Sequence, residues 1–178
     1  SLSAQDFVVL CTGELNANKD QRTLIDAAVL CRDRIPEVKV LLAGNGPLES
    51  TLREQISENH AEGYIRLLGY RTDLERVVPA ADAIVSCSHR EGLGLNLIEG
   101  MLCGKTVIAV ENRGHRELID NGLDIWCLSA IAVPWQKGLF NSIMTAIERS
   151  WGRLAIRKYS FIRMLMCSRN CHTSMGLE

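Results

Sequence analysis

Six short, largely apolar runs recur along the chain, each followed by a polar turn and then by a stretch with helical spacing. They are Phe7 to Cys11, Val38 to Ala43, Tyr64 to Leu68, Ala83 to Val85, Thr106 to Val110 and Ile125 to Leu128. Runs without strict alternation suit strands covered on both faces, and strands that alternate with helices at this spacing suit a parallel sheet. The pattern predicts an α/β fold, a three-layer α/β/α domain built on a parallel sheet of about six strands. In such a sheet the strand-to-helix turns lie on one rim. Ligands bind there, beside the point where the strand order reverses.

The helical stretches carry their own punctuation. The first is expected from near Asp20, with Leu24, Ile25, Ala28 and Cys31 facing inward, and Pro36 closes that unit. Gly44-Asn45-Gly46-Pro47 turns into a second helix with Pro47 near its first position, where a missing N–H costs nothing. Leu48, Leu52 and Ile56 form one apolar stripe on it. Thr72-Asp73-Leu74-Glu75 has the spacing of a capping box, which starts a third helix toward Val78. Gly104 stands where a C-terminal cap belongs. Gly114 to Asp120 reads as a short helix stopped by Asn121-Gly122, and about Pro134 to Ser150 as a longer one. Residues 3–150 are thus expected to form one domain, and 151–178 a helical tail containing Arg153, Arg157, Lys158, Arg163, Met164, Met166 and Arg169. Two readings of the tail stay open: an amphipathic helix lying on another domain or on an anionic membrane surface, and a terminal helix with a solvated basic face.

Formal net charge is −1 over 178 residues, which gives no electrostatic reason to bind nucleic acid. No apolar run reaches the roughly 18–20 residues that span a bilayer. The first residues show no basic segment leading into an apolar one, so secretion is not expected. The seven cysteines are odd in number and several lie in apolar runs, which reads as reduced core residues of a cytoplasmic protein. Cys167, Cys171 and His172 lack a second ligand cluster, so no metal site is expected.

The most chemically specific stretch runs from Ser86 to Glu99, between the fourth strand and its helix. It contains a Gly-x-Gly turn, Gly92-Leu93-Gly94, flanked by Glu91 and Glu99. A glycine-bearing turn entering a helix presents unpaired amides at the positive end of the helix dipole, which suits an anion. Carboxylates repel phosphate but accept hydrogen bonds from hydroxyls. A ligand carrying both groups points to a sugar nucleotide.

Four blocks occur in order: Gly13-Glu14-Leu15-Asn16-x-Asn18-Lys19, Leu41-Leu42-Ala43-Gly44-Asn45-Gly46-Pro47-Leu48, Gly69-Tyr70-Arg71-x-Asp73, and Ser88-His89-Arg90-Glu91-Gly92-Leu93-Gly94 leading to Glu99. Over about Val9 to Gly122 they resemble the C-terminal half of retaining GT-B glycosyltransferases of family 4, and among these the bacterial capsular and exopolysaccharide enzymes. The resemblance implies a Rossmann-like domain, one half of a GT-B fold, that holds a nucleotide-sugar donor, UDP-sugar by default. The other half, an N-terminal acceptor-binding domain, is expected to be missing from this chain. Hexosyl transfer to a glycan or lipid-linked acceptor is implied, with retention and without metal or other cofactor. The tail usually crosses back onto the N-terminal domain in this family. The isolated chain is therefore expected to bind donor without transfer and to self-associate through its uncovered face.

The resemblance also assigns roles. Lys19 falls on the donor diphosphate and Glu91 beside the transferred sugar, the catalytic pair. Gly92, Leu93, Gly94 and Leu95 supply amides to the diphosphate, and Glu99 holds the ribose. Gly69, Tyr70 and Arg71 lie near the base, and His89 near the sugar. Many members carry arginine where this chain has Glu14, so three readings stay open: Arg90 or Arg113 is the replacement cation, donor affinity is lower, or Glu14 is instead a buried partner of Lys19. Two other readings stay open. One is a sugar-nucleotide 2-epimerase-like enzyme, which accounts less well for the spacing of the two acids. The other is a non-catalytic nucleotide-binding module, favoured by Glu14, by the lack of an acceptor half and by the run Ile125-Trp126-Cys127-Leu128-Ser129-Ala130, where the family usually has Gly-x-Leu-Val.

Overall fold

A computed structural model describes residues 2–110, 112–118 and 125–128. Strands and helices alternate: β1 (Phe7–Thr12), α1 (Gln21–Arg32), β2 (Val38–Ala43), α2 (Glu49–Glu58), β3 (Ile65–Gly69), α3 (Leu74–Ala80), β4 (Ala83–Ser86), α4 (Leu95–Leu102), β5 (Thr106–Val110), α5 (Arg113–Leu118) and β6 (Ile125–Leu128). The six strands form one sheet in the order β3-β2-β1-β4-β5-β6, and every pairing is parallel. This is the expected three-layer architecture. The expected helix over 134–150 and the tail from 151 lie outside the described residues.

Side-chain alternation divides the core into two layers. Val8 and Leu10 of β1 join Ile84, Leu97, Val107 and Ala109 in a cluster closed by Val78 of α3. The intervening Phe7, Val9 and Cys11 point the other way, and the register brings them beside Val38, Val40 and Leu42. Leu24, Ile25, Ala28 and Cys31 of α1 and Leu52 and Ile56 of α2 are buried as their spacing predicts. All six residues of β1 are buried, since it is flanked by β2 and β4 and covered on both faces. Cys11, Cys31 and Cys87 are buried and free, and Cys103 is free but exposed, outside the core role expected for it.

Two local expectations fail for identifiable reasons. Thr72 does not open a capping box: α3 is preceded by Asp73 and has no side-chain cap. Asp73 is engaged elsewhere, accepting from Arg71 Nε at 2.8 Å and Nη2 at 2.6 Å. Pro47 lies before α2 rather than in its first turn, because Leu48 is the residue that leads into Glu49. The N–H of Leu48 donates to the carbonyl of Leu15 at 3.0 Å, which ties it to the loop after β1.

That tie is one of several along the rim where the strands end. Gly13 N donates to Ala43 O at 3.0 Å, Leu15 N to Asn45 O at 2.9 Å, and Gly44 N to Gly69 O at 2.8 Å. The loops after β1, β2 and β3 are thus joined by main-chain hydrogen bonds beyond the sheet. The approach demands glycine at position 44, where a Cβ would collide with the carbonyl oxygen of Gly13 and lie 2.9 Å from its carbon. Among the described residues no helix is long and apolar enough to cross a membrane.

Gly44→Ala is expected to lower the unfolding free energy by about 1–3 kcal/mol, as overpacking against rigid main chain does. A urea titration measures it, and an unchanged midpoint would contradict this account of the rim.

Candidate functional site

The strand order reverses between β1 and β4, and a cleft of about 470 Å³ opens at the carboxyl ends of the strands there. Its lining draws Lys19 from the loop after β1, Gly44 from the loop after β2, Tyr70 and Arg71 from the loop after β3, and Glu91, Leu93, Gly94, Leu95 and Glu99 from the loop after β4 and α4. Most of the sequence-predicted residues therefore meet in one place. Gly69, His89, Arg90 and Gly92 do not line the cleft. The His89 ring reaches Asp20 instead, with Nε2 3.4 Å from Oδ2. Gly69 turns its carbonyl to Gly44, as described above.

Lys19 and Glu91 form an ion pair across the cleft, Nζ donating to Oε1. The same Oε1 accepts from Ser88 Oγ at 2.7 Å. Burial acts to raise the Glu91 carboxyl, but the hydrogen bonds from Lys19 and Ser88 outweigh it and hold the group below the ordinary glutamate range. Partly open ion pairs contribute up to about 1 kcal/mol to stability. A pair of that size matters more for the charge state of the cleft than for the fold. Glu14 is not the partner of Lys19: it is exposed, and its Oε2 accepts from Asn16 Nδ2 at 2.8 Å.

The helix α4 opens at Gly94, whose φ of 62° is left-handed. No side chain caps this end, and the first main-chain acceptor, Gly94 O, serves Leu97 N at 2.9 Å. The amides ahead of Leu97 thus have no partner within the helix, and the residues that carry them, Gly94, Leu95 and Asn96, all line the cleft. One helical turn further on, Glu99 lies on the same face as Leu95. Its carboxylate has no hydrogen-bond or ion-pair partner among the described residues. Arg71 enters the cleft with its guanidinium fixed by the two bonds to Asp73, and Tyr70 beside it is 72% exposed.

A second set of residues, which no motif in the sequence marks, supports this loop from below. Asn112 Nδ2 donates to Ser88 O at 2.9 Å, and Asn112 Oδ1 accepts from His115 N at 3.0 Å. His115 is fully buried, with Nδ1 2.6 Å from Val110 O. Burial pushes its pKa down, against the Val110 bond and the Glu91 charge; the Val110 carbonyl can only accept, so Nδ1 is the donor in that contact. Nε2 is left without a partner. The ring edge packs under Gly94: a Cβ there would lie 3.2 Å from Cδ2 and 3.5 Å from Nε2. Gly114 packs against the main chain of Glu91, where a Cβ would sit 2.7 Å from the carbonyl carbon. The only trace of this cradle in the sequence is an asparagine and a glycine just after the fifth strand.

Residues 2–133 match the family described as Glycosyl transferases group 1. The putative glycosyltransferase EpsD of Bacillus subtilis is 39% identical over 117 residues, covering 66% of this chain and 31% of that protein. The GtfA subunit of the UDP-N-acetylglucosamine–peptide N-acetylglucosaminyltransferase of Streptococcus gordonii is 31% identical over 65% of this chain and 23% of its own length. The crystal structure of Anabaena Alr3699/HepE in complex with UDP-glucose superposes with a TM-score of 0.73 and 31% identity, over 83% of this chain and 40% of that one. The chain thus spans about a third or less of the curated relatives it matches.

The Glu91 carboxyl is expected to titrate below the ordinary glutamate value of about 4.3. Its contribution to stability is then present above that pH and is lost as pH falls through the lower folded value. A carbon-13 NMR titration reads this directly, and Ser88→Ala is expected to move the value upward. Titration at or above the ordinary value in the unmodified chain would contradict the hydrogen bonding described.

Proposed function

The chain belongs to the glycosyl transferases group 1 family, and from that premise we propose that it is the donor-binding half of a retaining glycosyltransferase. In this reading a hexosyl group passes from a nucleotide-sugar, with UDP as the nucleotide, to a glycan or lipid-linked acceptor in polysaccharide biosynthesis. One observation carries the reading: Lys19, Glu91, the open amides of α4 and Glu99 line a single cleft at the point where the strand order reverses. A cation and N–H groups suited to a diphosphate, together with two carboxylates suited to hydroxyls, support a nucleotide-sugar as the ligand. The UDP-glucose in the Anabaena relative and the name of the streptococcal one support UDP as the nucleotide.

The chemistry follows from charge. The amides of Gly94, Leu95 and Asn96 bind the diphosphate, and Lys19 offsets the charge that grows on it as the glycosidic bond breaks. Diphosphate binding draws Lys19 away from Glu91, which frees the Glu91 carboxylate to accept sugar hydroxyls and to stabilise positive charge at the anomeric carbon. Glu99 binds the ribose hydroxyls, and Tyr70 and Arg71 flank the base. No step in this scheme calls for a metal, and no group of three or more His, Cys, Asp or Glu side chains suited to one occurs among the described residues.

Tyr70, Leu93 and Leu95 are 72%, 51% and 64% exposed and all line the cleft. Apolar surface at the lip of a one-walled cleft supports a second domain opposite it, which would supply the acceptor site. The same surface, left uncovered, supports self-association of the chain on its own.

Titration calorimetry with UDP and UDP-glucose tests the assignment. Glu99→Gln is expected to weaken both ligands about tenfold, the cost of one hydrogen bond to a charged group. Glu91→Gln is expected to weaken UDP-glucose relative to UDP by a similar factor, with no loss of UDP affinity itself, because Lys19 is no longer held by a carboxylate. Equal losses for the two ligands in Glu91→Gln would refute its role at the sugar. Release of free epimerised sugar nucleotide would replace the transferase reading with an epimerase.

A further inference from the structure

Asn18 has no role in the scheme above, yet it makes the most specific long-range contact at the site. Its side-chain amide meets the main chain of Arg90 in both directions: Nδ2 donates to Arg90 O at 2.9 Å, and Arg90 N donates to Oδ1 at 3.1 Å. The carbonyl of Asn18 accepts from His89 N at 2.8 Å. Three hydrogen bonds therefore join the loop after β1 to the loop after β4, across 72 residues of sequence. The ladder between β1 and β4 pairs Val9 with Ala83 and Leu10 with Ile84. Beyond it the two chains part around the cleft, and Asn18 bridges the gap. A primary amide is the side chain that offers one donor and one acceptor side by side, matching the C=O and N–H of a single residue.

The neighbours of the two bridged residues are the reacting pair. Lys19 follows Asn18, and Glu91 follows Arg90. On its other side the same loop is held by Asn112 at Ser88 O. Glu91 thus hangs between an anchor from β5 and an anchor from β1, and only the second also fixes Lys19. We propose that Asn18 is a positioning residue that sets the distance between Lys19 and Glu91 and so governs recognition of the sugar end of the donor. The proposal rests on the donor-binding reading and adds a residue to it. The amide bonds are exposed, so water replaces them when they are lost. The effect is therefore on geometry rather than on stability. At the start of α4, Gly94 packs on His115 and Leu118 rather than on the loop after β1, so the main-chain amides keep their hold on the diphosphate and only the Lys19 share of it changes.

Asn18→Asp is isosteric and keeps the acceptor for Arg90 N, but it sets a carboxylate oxygen against Arg90 O. Asn18→Ala removes both bonds. Each variant is compared with the unmodified chain by calorimetry with UDP and with UDP-glucose, by thermal melting, and by hydrogen exchange of the Arg90 amide without ligand. The expected result is faster Arg90 exchange, a melting temperature within a few degrees of the original, a small loss of UDP affinity through Lys19, and a further fall of about tenfold in affinity for UDP-glucose relative to UDP. Faster exchange with an unchanged ratio of the two affinities would overturn the positioning role. Unchanged exchange would overturn the bridge itself. If the unmodified chain binds neither ligand, the donor reading falls and the positioning role with it; the exchange data separate that failure from failure of the bridge.

Discussion

The reversal of strand order at β1 governs everything that follows. β1 takes β2 on one side and β4 on the other, so the chain leaves its carboxyl end in one direction and β4 delivers its own loop from the other. Among the described residues no strand ladder closes the space between the two loops, and no helix covers it. A cleft at that position is a consequence of the topology rather than of any one side chain. β1 itself is buried along its whole length, so the loops rise from a strand packed on both faces.

The loops are then held by polar bonds rather than by packing. Main chain joins the loops after β1, β2 and β3, with Gly44 permitting the closest approach. Side chains join the loop after β4 to its neighbours, Asn112 from one side and Asn18 from the other. Such bonds fix direction as well as distance, which a hydrophobic contact does not. A site that must hold a charged ligand against two carboxylates needs that directional control, because a displacement of about 1 Å removes a hydrogen bond altogether.

The fold was legible because its signal is local. All six apolar runs match strands to within one residue at each end, including Ile125–Leu128, and the turn glycines lie where the strands end. The third strand begins one residue late because Tyr64 N turns back to Ala61 O at 3.0 Å, and it runs on to Gly69, whose carbonyl serves Gly44. The residues that face the cleft were legible through motif resemblance. Those that hold them were not. Asn18 pairs with a residue 72 positions away, and Asn112 with one 24 positions away, through side chain to main chain bonds that leave no periodicity behind. His115 read as part of a short helix, yet its buried ring supports Gly94 from beneath. The pairing of Lys19 with Glu91 also needed three dimensions, because the sequence left Glu14 open as its partner.

Amide NMR of the whole chain during a UDP titration tests the central claim most directly. If the rim at β1 and β4 holds the diphosphate, the largest shifts fall on the amides of Gly94, Leu95 and Asn96, with Lys19 and Glu99 moving alongside. A second, smaller groove of about 220 Å³ lies by the strand starts, lined in part by Lys39, Tyr64 and Arg66. Shifts concentrated there, with the start of α4 unmoved, would contradict the account.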